Sequence, residues 1–387
     1  MRFIHTSDWH LGRSLHSVGM IDAQAQFLDW LVDLVRAESV EAVVVSGDIY
    51  DRALPSPDTV ELLSDAVTRL VDTGAQVVLA SGNHDSAIRL GFAAGLLERA
   101  GLHIRSHVDG IGRPIRVGDA VIHPVPYLEP SLVTSALGVQ QATHADVLRA
   151  ALAQLPQAAQ ADPRQTVVMA HAFVAGSVTS ASERDISVGG VSAVPAAIFQ
   201  PFGYAALGHL HRPQWVSDQV RYSGSPWAMD FGEAGDAKSV SVVELRDGIP
   251  LVQVHETPVV RPMAVLRGLL DDLLTDRAHA WAEDAWCQVH LTDPLRPTGA
   301  WDRLRRRFPH LLDLRFDPQG VVIESIRYAA RTRGGRSELE ICLDFLTHVR
   351  GVSATDQERA ALASALDATR IGAAQSADER GVARGVA

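Results

Sequence analysis

Residues 42–51 read Ala-Val-Val-Val-Ser-Gly-Asp-Ile-Tyr-Asp: a short run of small and β-branched side chains that stops at Gly47 and opens onto two carboxylates, Asp48 and Asp51. A run this short and this rich in valine has the character of a buried strand. Helical patterns flank it. Upstream, Asp22–Glu38 places Phe27, Leu31, Leu34 and Val35 on one face of a helix. Downstream, Ser56-Pro57 marks a helix start, because serine caps the first free N–H groups and proline suits the first helical position. Leu62, Leu63, Ala66, Val67 and Leu70 then form the apolar stripe. The alternation continues outward, with further apolar runs at Met1–Thr6, Val77–Ser81, Thr166–Ala170 and Tyr204–Leu207. Strands alternating with helices specify an α/β layered domain over residues 1–255.

Each of these apolar runs leads into oxygen or imidazole donors. Met1–Thr6 is followed by Asp8-Trp9-His10, Ala42–Ser46 by Asp48 and Asp51, and Val77–Ser81 by Gly82-Asn83-His84-Asp85. Thr166–Ala170 is followed by His171, and Tyr204–Leu207 by Gly208-His209-Leu210-His211. Loops that leave the C-terminal ends of strands in an open α/β sheet converge on one crevice. Asp8, His10, Asp48, Asn83, His171, His209 and His211 are therefore expected to meet as metal ligands. Any one of these short motifs alone is weak, since Gly-Asp and Asn-His pairs are common in turns and a His-x-His can be a surface pair. Their joint occurrence, each at the end of an apolar run, is specific. Imidazole and carboxylate without thiolate suit manganese, iron, zinc or magnesium. The donors are too many for one tetrahedral ion. A carboxylate shared between two ions about 3.5–4 Å apart resolves the excess, and Asp48 is placed to be that bridge. Gly47 and Gly82 precede the ligands, where a tight turn would otherwise be costly. His16, His123, His144 and His279 fit no ligand pattern and read as structural or surface residues.

With 387 residues the chain is expected to hold two or three domains. Its net charge of −11 argues mildly against a nucleic-acid partner, although carboxylates committed to bound cations account for part of it. Arg303, Arg305, Arg306 and Arg307 form a basic cluster whose ordinary reading is a solvated helix face. There are two cysteines, Cys287 and Cys342, no long apolar span and no basic-then-apolar leader, which together point to the cytoplasm.

The pattern changes at His255–Met263, where two prolines mark a linker. A smaller α+β unit is expected over residues 256–330: a helical stretch Met263–Leu274, a strand at Cys287–Leu291, the basic helix, and a run Leu312–Phe316. Two short helices follow over residues 331–370, with capping boxes at Ser337/Glu340 and Thr355/Glu358 and a stop at Gly351. Leu339, Cys342, Leu343, Leu346 and Val349 line one side of the first, either to pack on this chain or to dock on a partner. Residues 371–387 are small and polar and are expected to be disordered.

The ordered motifs D-x-H, G-D-x-x-D, G-N-H-D, H and G-H-x-H resemble those of the calcineurin-like metallophosphoesterase family. Within it the chain resembles the SbcD group of bacterial nuclease subunits, through SDWHLG, SGDIYDRALPS, SGNHDSAIRL, SERDISVGG, YAALGHLHRPQ, RYSGSPWAMDFGEAGDAKSV and ELEICLDFLTHVRG. The likeness implies a layered metallophosphoesterase sandwich, a small α+β capping domain that guides DNA, and a C-terminal helical segment that binds an SbcC-type ATPase. It implies two divalent ions of the manganese type, with magnesium as an alternative. One ion would take Asp8, His10, Asp48 and His211, the other Asp48, Asn83, His171 and His209. His84 would stand outside the metal shell as a catalytic group acting on the scissile phosphate or leaving oxygen. Asp51 and Asp85 read either as residues that orient ligands or as local turn contacts. A homodimer within a heterotetramer is implied as well, with a role in DNA repair and recombination. Trp227-Ala228-Met229-Asp230 departs from the group's usual wording, and Lys238 is the sole lysine; neither touches the ligand set.

Two other readings compete. The same ligands would serve a phosphodiesterase acting on small nucleotides, and the basic and helical segments would serve a DNA-end scaffold for an ATPase.

Overall fold

The computed structural model describes residues 1–141, 143–156, 163–180, 183, 193–318 and 337–382. Its larger unit comprises Met1–Val265 with Trp281–Gln288. The strands β1 (Arg2–Thr6), β2 (Ala42–Ser46), β3 (Gln76–Ala80) and β4 (Leu102–Arg105) lie side by side and parallel. A second sheet holds β5 (Ile115–Val117), β6 (Ala120–Pro124), β7 (Thr166–His171), β8 (Tyr204–Gly208), β9 (Gln214–Ser217) and β10 (Val220–Tyr222), in the order β9-β10-β8-β7-β6-β5. Its middle strands are parallel and both edges antiparallel. The hairpin β11 (Ser239–Arg246) and β12 (Ile249–Glu256) then returns to the first sheet, completing the order β12-β11-β1-β2-β3-β4.

The two sheets face each other, and the period-two alternation of their strands explains how. In β7, Val167 and Met169 join Phe3, Val44, Val78, Tyr204 and Val243 between the sheets. Val168 and Ala170 point the other way, into a core with Val133, Val147 and Leu148. Those three come from the helices Pro130–Leu137 and His144–Ala153. Strands buried on both faces must be apolar throughout, and β2 and β7 are buried at every position. Helices α1 (Ile21–Glu38) and α2 (Pro57–Asp72) pack on each other, and α2 packs on β3. The Ser56 side chain caps α2 by accepting from Thr59 N, with Pro57 at the first helical position. The result is the α/β layered sandwich, helices outside and two sheets within.

The smaller unit comprises Leu266–Ala280 and residues from Val289 onward. A three-stranded sheet runs through Met263–Gly268, Trp286–Leu291 and Leu311–Phe316. The helix expected over Met263–Leu274 is instead a strand, Met263–Gly268, followed by a helix at Leu270–Thr275. Burial alternates at Val265, Leu266 and Arg267, and Leu269 separates the elements, so a two-residue period wins over the helical one. The basic helix is Ala300–Arg307.

At the C-terminal end, Ser337 and Glu340 form a reciprocal capping box on the helix Glu338–Arg350, which stops at Gly351 with φ 70°. Thr355 and Glu358 repeat the box on the next helix. That helix is not short: it runs from Asp356 to Val382, through most of the stretch expected to be disordered. Alanine recurs through it, and alanine, though small, is the strongest helix former. Residues 319–336 and 383–387, and with them parts of the expected capping unit, helical segment and tail, lie outside the described residues, as does most of SERDISVGG. No helix among the described residues is long and apolar enough to cross a membrane.

Candidate metal centre

The first two ligand loops stay zipped together after their strands end. Asp8 N donates to Gly47 O at 3.0 Å, His10 N to Asp48 O at 2.9 Å and Leu11 N to Ile49 O at 2.9 Å. Holding side chains inward here requires unusual backbone. Asp8 (φ 54°), His10 (φ 40°), Asp48 (φ 50°) and His209 (φ 101°) all adopt left-handed conformations. Non-glycine residues do this rarely and at a cost, so four such residues in one place mark a site that the rest of the fold over-determines.

Two glycines make the close approach possible. A Cβ on Gly47 would lie 2.2 Å from the His171 ring, and Gly47 itself has φ 93°. Gly82 has no such dihedral; a Cβ there would lie 2.2 Å from Asp48 Oδ1. The turn argument made from the sequence therefore holds for Gly47, whereas Gly82 is needed for space.

Asp48 is the centre of the cluster. Its Oδ2 lies 3.5 Å from His10 Nε2, 3.4 Å from His171 Nε2 and 3.9 Å from His84 Nε2, while Oδ1 accepts from His84 N at 2.8 Å. Asp8 accepts from Ser7 Oγ at 2.6 Å and from His209 N at 3.0 Å. His171 is oriented by Ser46 O, 2.9 Å from Nδ1, and its Nε2 lies 2.9 Å from Asn83 Oδ1. The His209 ring sits 5.3 Å from that of His171, and the His211 ring 5.1 Å from that of His10.

Among the described residues, three triplets bring donor atoms within 4.8 Å of one another: Asp8–His10–His211, Asp8–Asp48–His171 and His10–Asp48–His84. The first lies within one of the two groupings that the resemblance implies; the second joins Asp8 of that grouping to Asp48 and His171 of the other. The third includes His84, so distance alone does not set His84 apart from the ligands. His209 belongs to none of the three. Asp51 Oδ1 lies 3.5 Å from His10 Nδ1 and accepts from Arg13 at 3.1 Å, and its carbonyl holds the His84 ring. Asp85 accepts from the backbone N–H groups of Ile49, Tyr50 and Gly82, tying the Asp48 loop to the Asn83 loop.

The electrostatics are those of a crowded, dry site. Burial opposes ionisation of Asp48, but His171, His10 and His84 overcome it and hold its carboxyl well below the usual range. Burial, reinforced by the Asp48 charge, pushes Asp8 up to about 7, and burial with Asp48 does the same to Asp85. Burial opposes charging of His171, yet Asp48 and Asp8 raise it to about 9. His209, buried and facing His171, drops to about 3. Both nitrogens of the buried His10 ring lack a hydrogen-bond partner. Buried polar atoms are seldom left so. An orphaned imidazole aimed at carboxylates and further imidazoles is the donor set that divalent cations require, and the residues present fit two such ions.

Sequence reasoning missed a set of supports around His211. Glu233 Oε1 lies 3.1 Å from His211 Nδ1, and Lys238 Nζ donates to Glu233 Oε2 at 2.6 Å and to His211 O at 2.9 Å. Glu183 accepts from His211 N at 2.7 Å. Burial opposes ionisation of Glu233, but His211 and Lys238 draw its carboxyl far below the ordinary range. Lys238, expected from the sequence to leave the ligand set untouched, thus bonds to a candidate ligand residue; Glu233 and Lys238 both lie in the family-like stretch RYSGSPWAMDFGEAGDAKSV, but nothing in that stretch pairs them with His211.

Comparison with known families agrees with this architecture. Residues 1–213, more than half of the chain, match the calcineurin-like phosphoesterase family. Residues 259–349 match a C-terminal domain of the SbcD type, described as the type 5 capsule protein repressor C-terminal domain. Among solved structures, one chain shares 12% identity and a TM-score of 0.37, over 66% of this chain and 99% of its own length. A beta-glucosidase from Exiguobacterium marinum shares 9% identity and a TM-score of 0.22, over 82% of this chain and 89% of its own. Both structural likenesses are too loose to bear on fold or chemistry.

Proposed function

The chain belongs to the calcineurin-like phosphoesterase family, as a metal-dependent phosphoesterase of the SbcD type, and from that premise we propose that it is a DNA nuclease. It would hydrolyse phosphodiester bonds with two manganese ions, at DNA ends and hairpins, in repair and recombination. The observation that carries the chemistry is the convergence on Asp48 of three imidazoles beside a second buried carboxylate, Asp8. Asp8, His10, Asp48 and His211 would hold one ion, and Asp48, Asn83, His171 and His209 the other. Two bound cations supply Lewis-acid charge for the phosphoryl oxygens and acidify the attacking water.

His84 supplies the remaining step. Its Nδ1 faces the Asp51 carbonyl at 2.8 Å, and a carbonyl only accepts, so Nδ1 carries the proton of the neutral ring. Nε2 is then directed toward the ligand cluster. There it stabilises charge on the phosphate or, when protonated, passes a proton to the departing 3′ oxygen.

DNA rather than a small diester is favoured by the basic helix. Arg303 is engaged with Asp271 and Arg307 reaches Leu273 O, while Arg305 and Arg306 are exposed and fit to meet phosphates. The C-terminal helices support an SbcC-type ATPase as partner: Phe345, Val349 and Val352 are exposed apolar residues on the first helix and the connection after it, and Arg350 pairs with Glu358 of the second. A homodimer is supported by Leu54, Ile88, Phe92 and Leu96, which expose large apolar side chains in and after the Asp51 and Asn83 loops.

The deciding experiment offers manganese-loaded protein bis-p-nitrophenyl phosphate, linear DNA and hairpin DNA, with and without the ATPase. Cleavage of DNA ends or hairpins is expected. Turnover of the small diester alone, even with the ATPase present, would refute the nuclease reading and leave a phosphodiesterase of small substrates.

A further inference from the structure

We propose that Glu233, with Lys238 as its counter-ion, is the positioning residue for His211, and that the pair sets the occupancy of one metal position independently of the other. The inference rests on the two-metal reading of the site.

Glu233 is fully buried, where an unmatched carboxylate would be prohibitive. It is matched at both oxygens. Oε2 accepts from Lys238 Nζ at 2.6 Å and from Met229 N at 3.1 Å; Oε1 accepts from Ser180 Oγ at 3.0 Å and faces His211 Nδ1 at 3.1 Å. A carboxylate held by an ammonium is an acceptor, so the His211 proton lies on Nδ1 and Nε2 carries the lone pair that a cation takes. Lys238 closes the loop by donating to the carbonyl of His211 itself at 2.9 Å, so ring and backbone are fixed by one ion pair.

The contrast with two other imidazoles gives the arrangement its meaning. His171 Nδ1 is oriented by the backbone carbonyl of Ser46, and His84 Nδ1 by that of Asp51, both neutral. His211 is oriented by a full negative charge, which fixes the ring more firmly than a neutral carbonyl does. His211 belongs to the triplet with Asp8 and His10 and not to the triplet with Asp48 and His171. Disturbing Glu233 should therefore loosen one cation and spare the other.

The test is manganese titration of the full chain, with metal content measured directly. Wild-type protein should bind two equivalents; failure at this point would refute the two-metal reading and not the role of Glu233. In Glu233→Gln, which keeps size and removes charge, one equivalent should weaken 10–100-fold while the other is unchanged. Equal weakening of both equivalents, or of neither, would overturn the proposal, since a merely structural defect does not choose between ions. A second measurement needs no variant. Nitrogen NMR of histidine-labelled, zinc-loaded wild-type protein should show His211 protonated on Nδ1; a proton on Nε2 would overturn the proposal equally.

Discussion

The ring of His84 is tied by Nδ1 to the carbonyl of Asp51 at 2.8 Å, and its Nε2 stops 3.9 Å from Asp48 Oδ2. His84 is thus close enough to be taken for a ligand, while the Asp51 carbonyl already fixes its ring through Nδ1. His84→Ala is expected to lower kcat by about 10²–10⁴-fold while two equivalents of metal remain bound. Asp48→Ala should remove both metal and turnover. Metal analysis beside steady-state kinetics on the two variants separates the roles; an equal fall in metal content would make His84 a ligand.

Gly82 is the second place where a single atom decides the site. A Cβ there meets Asp48 Oδ1 at 2.2 Å and Asp48 N at 2.3 Å, so one loop must move. Gly82→Ala is expected to cost about 1–3 kcal/mol of stability. At about 2–4 °C per kcal/mol the fall in Tm is readily measured, and metal affinity should fall with it. Gly19→Ala, with nothing within 4 Å of the added carbon, is the matched control and should leave both unchanged.

Protons and cations compete for the same donors. His171, raised to about 9, is protonated at neutral pH in the metal-free protein, and its two nitrogens then face Ser46 O and Asn83 Oδ1 as donors. A cation must displace that proton. Apparent metal affinity should therefore rise as pH climbs toward about 9 and level off above it. Below about 7, where Asp8 also takes up a proton, the dependence should steepen. Calorimetric titration with manganese across this range checks the sign; affinity that is flat with pH would contradict it.

The main strands of this fold were open to reading because β2, β3, β7 and β8 are short apolar runs that end at or just before glycine, serine or histidine. Burial on both faces leaves no polar alternation to confuse with helix. The segment after Met263 was not, since Met263, Leu266, Leu270 and Leu273 fit a helical period as well as the strand and helix that form. At the site, each candidate ligand follows its own strand and could be found locally. Glu233 could not: it stands 22 positions beyond His211, and only the return of the chain through Lys238 brings them together. The left-handed backbone of Asp8, His10, Asp48 and His209 is likewise a product of tertiary packing that residue type does not announce.

The single lysine of this chain is sealed inside it, with Lys238 7% exposed and all of its hydrogen bonds spent on Glu233, Ser225 and the carbonyl of His211. Every other basic side chain on the surface is arginine or histidine. Reagents that acylate side-chain amines should find the folded protein blank, and the modification that does appear will time the opening of the loop behind His211. The chain carries a built-in clock for the loosening of a candidate metal ligand, readable by mass spectrometry without engineering a reporter residue into it.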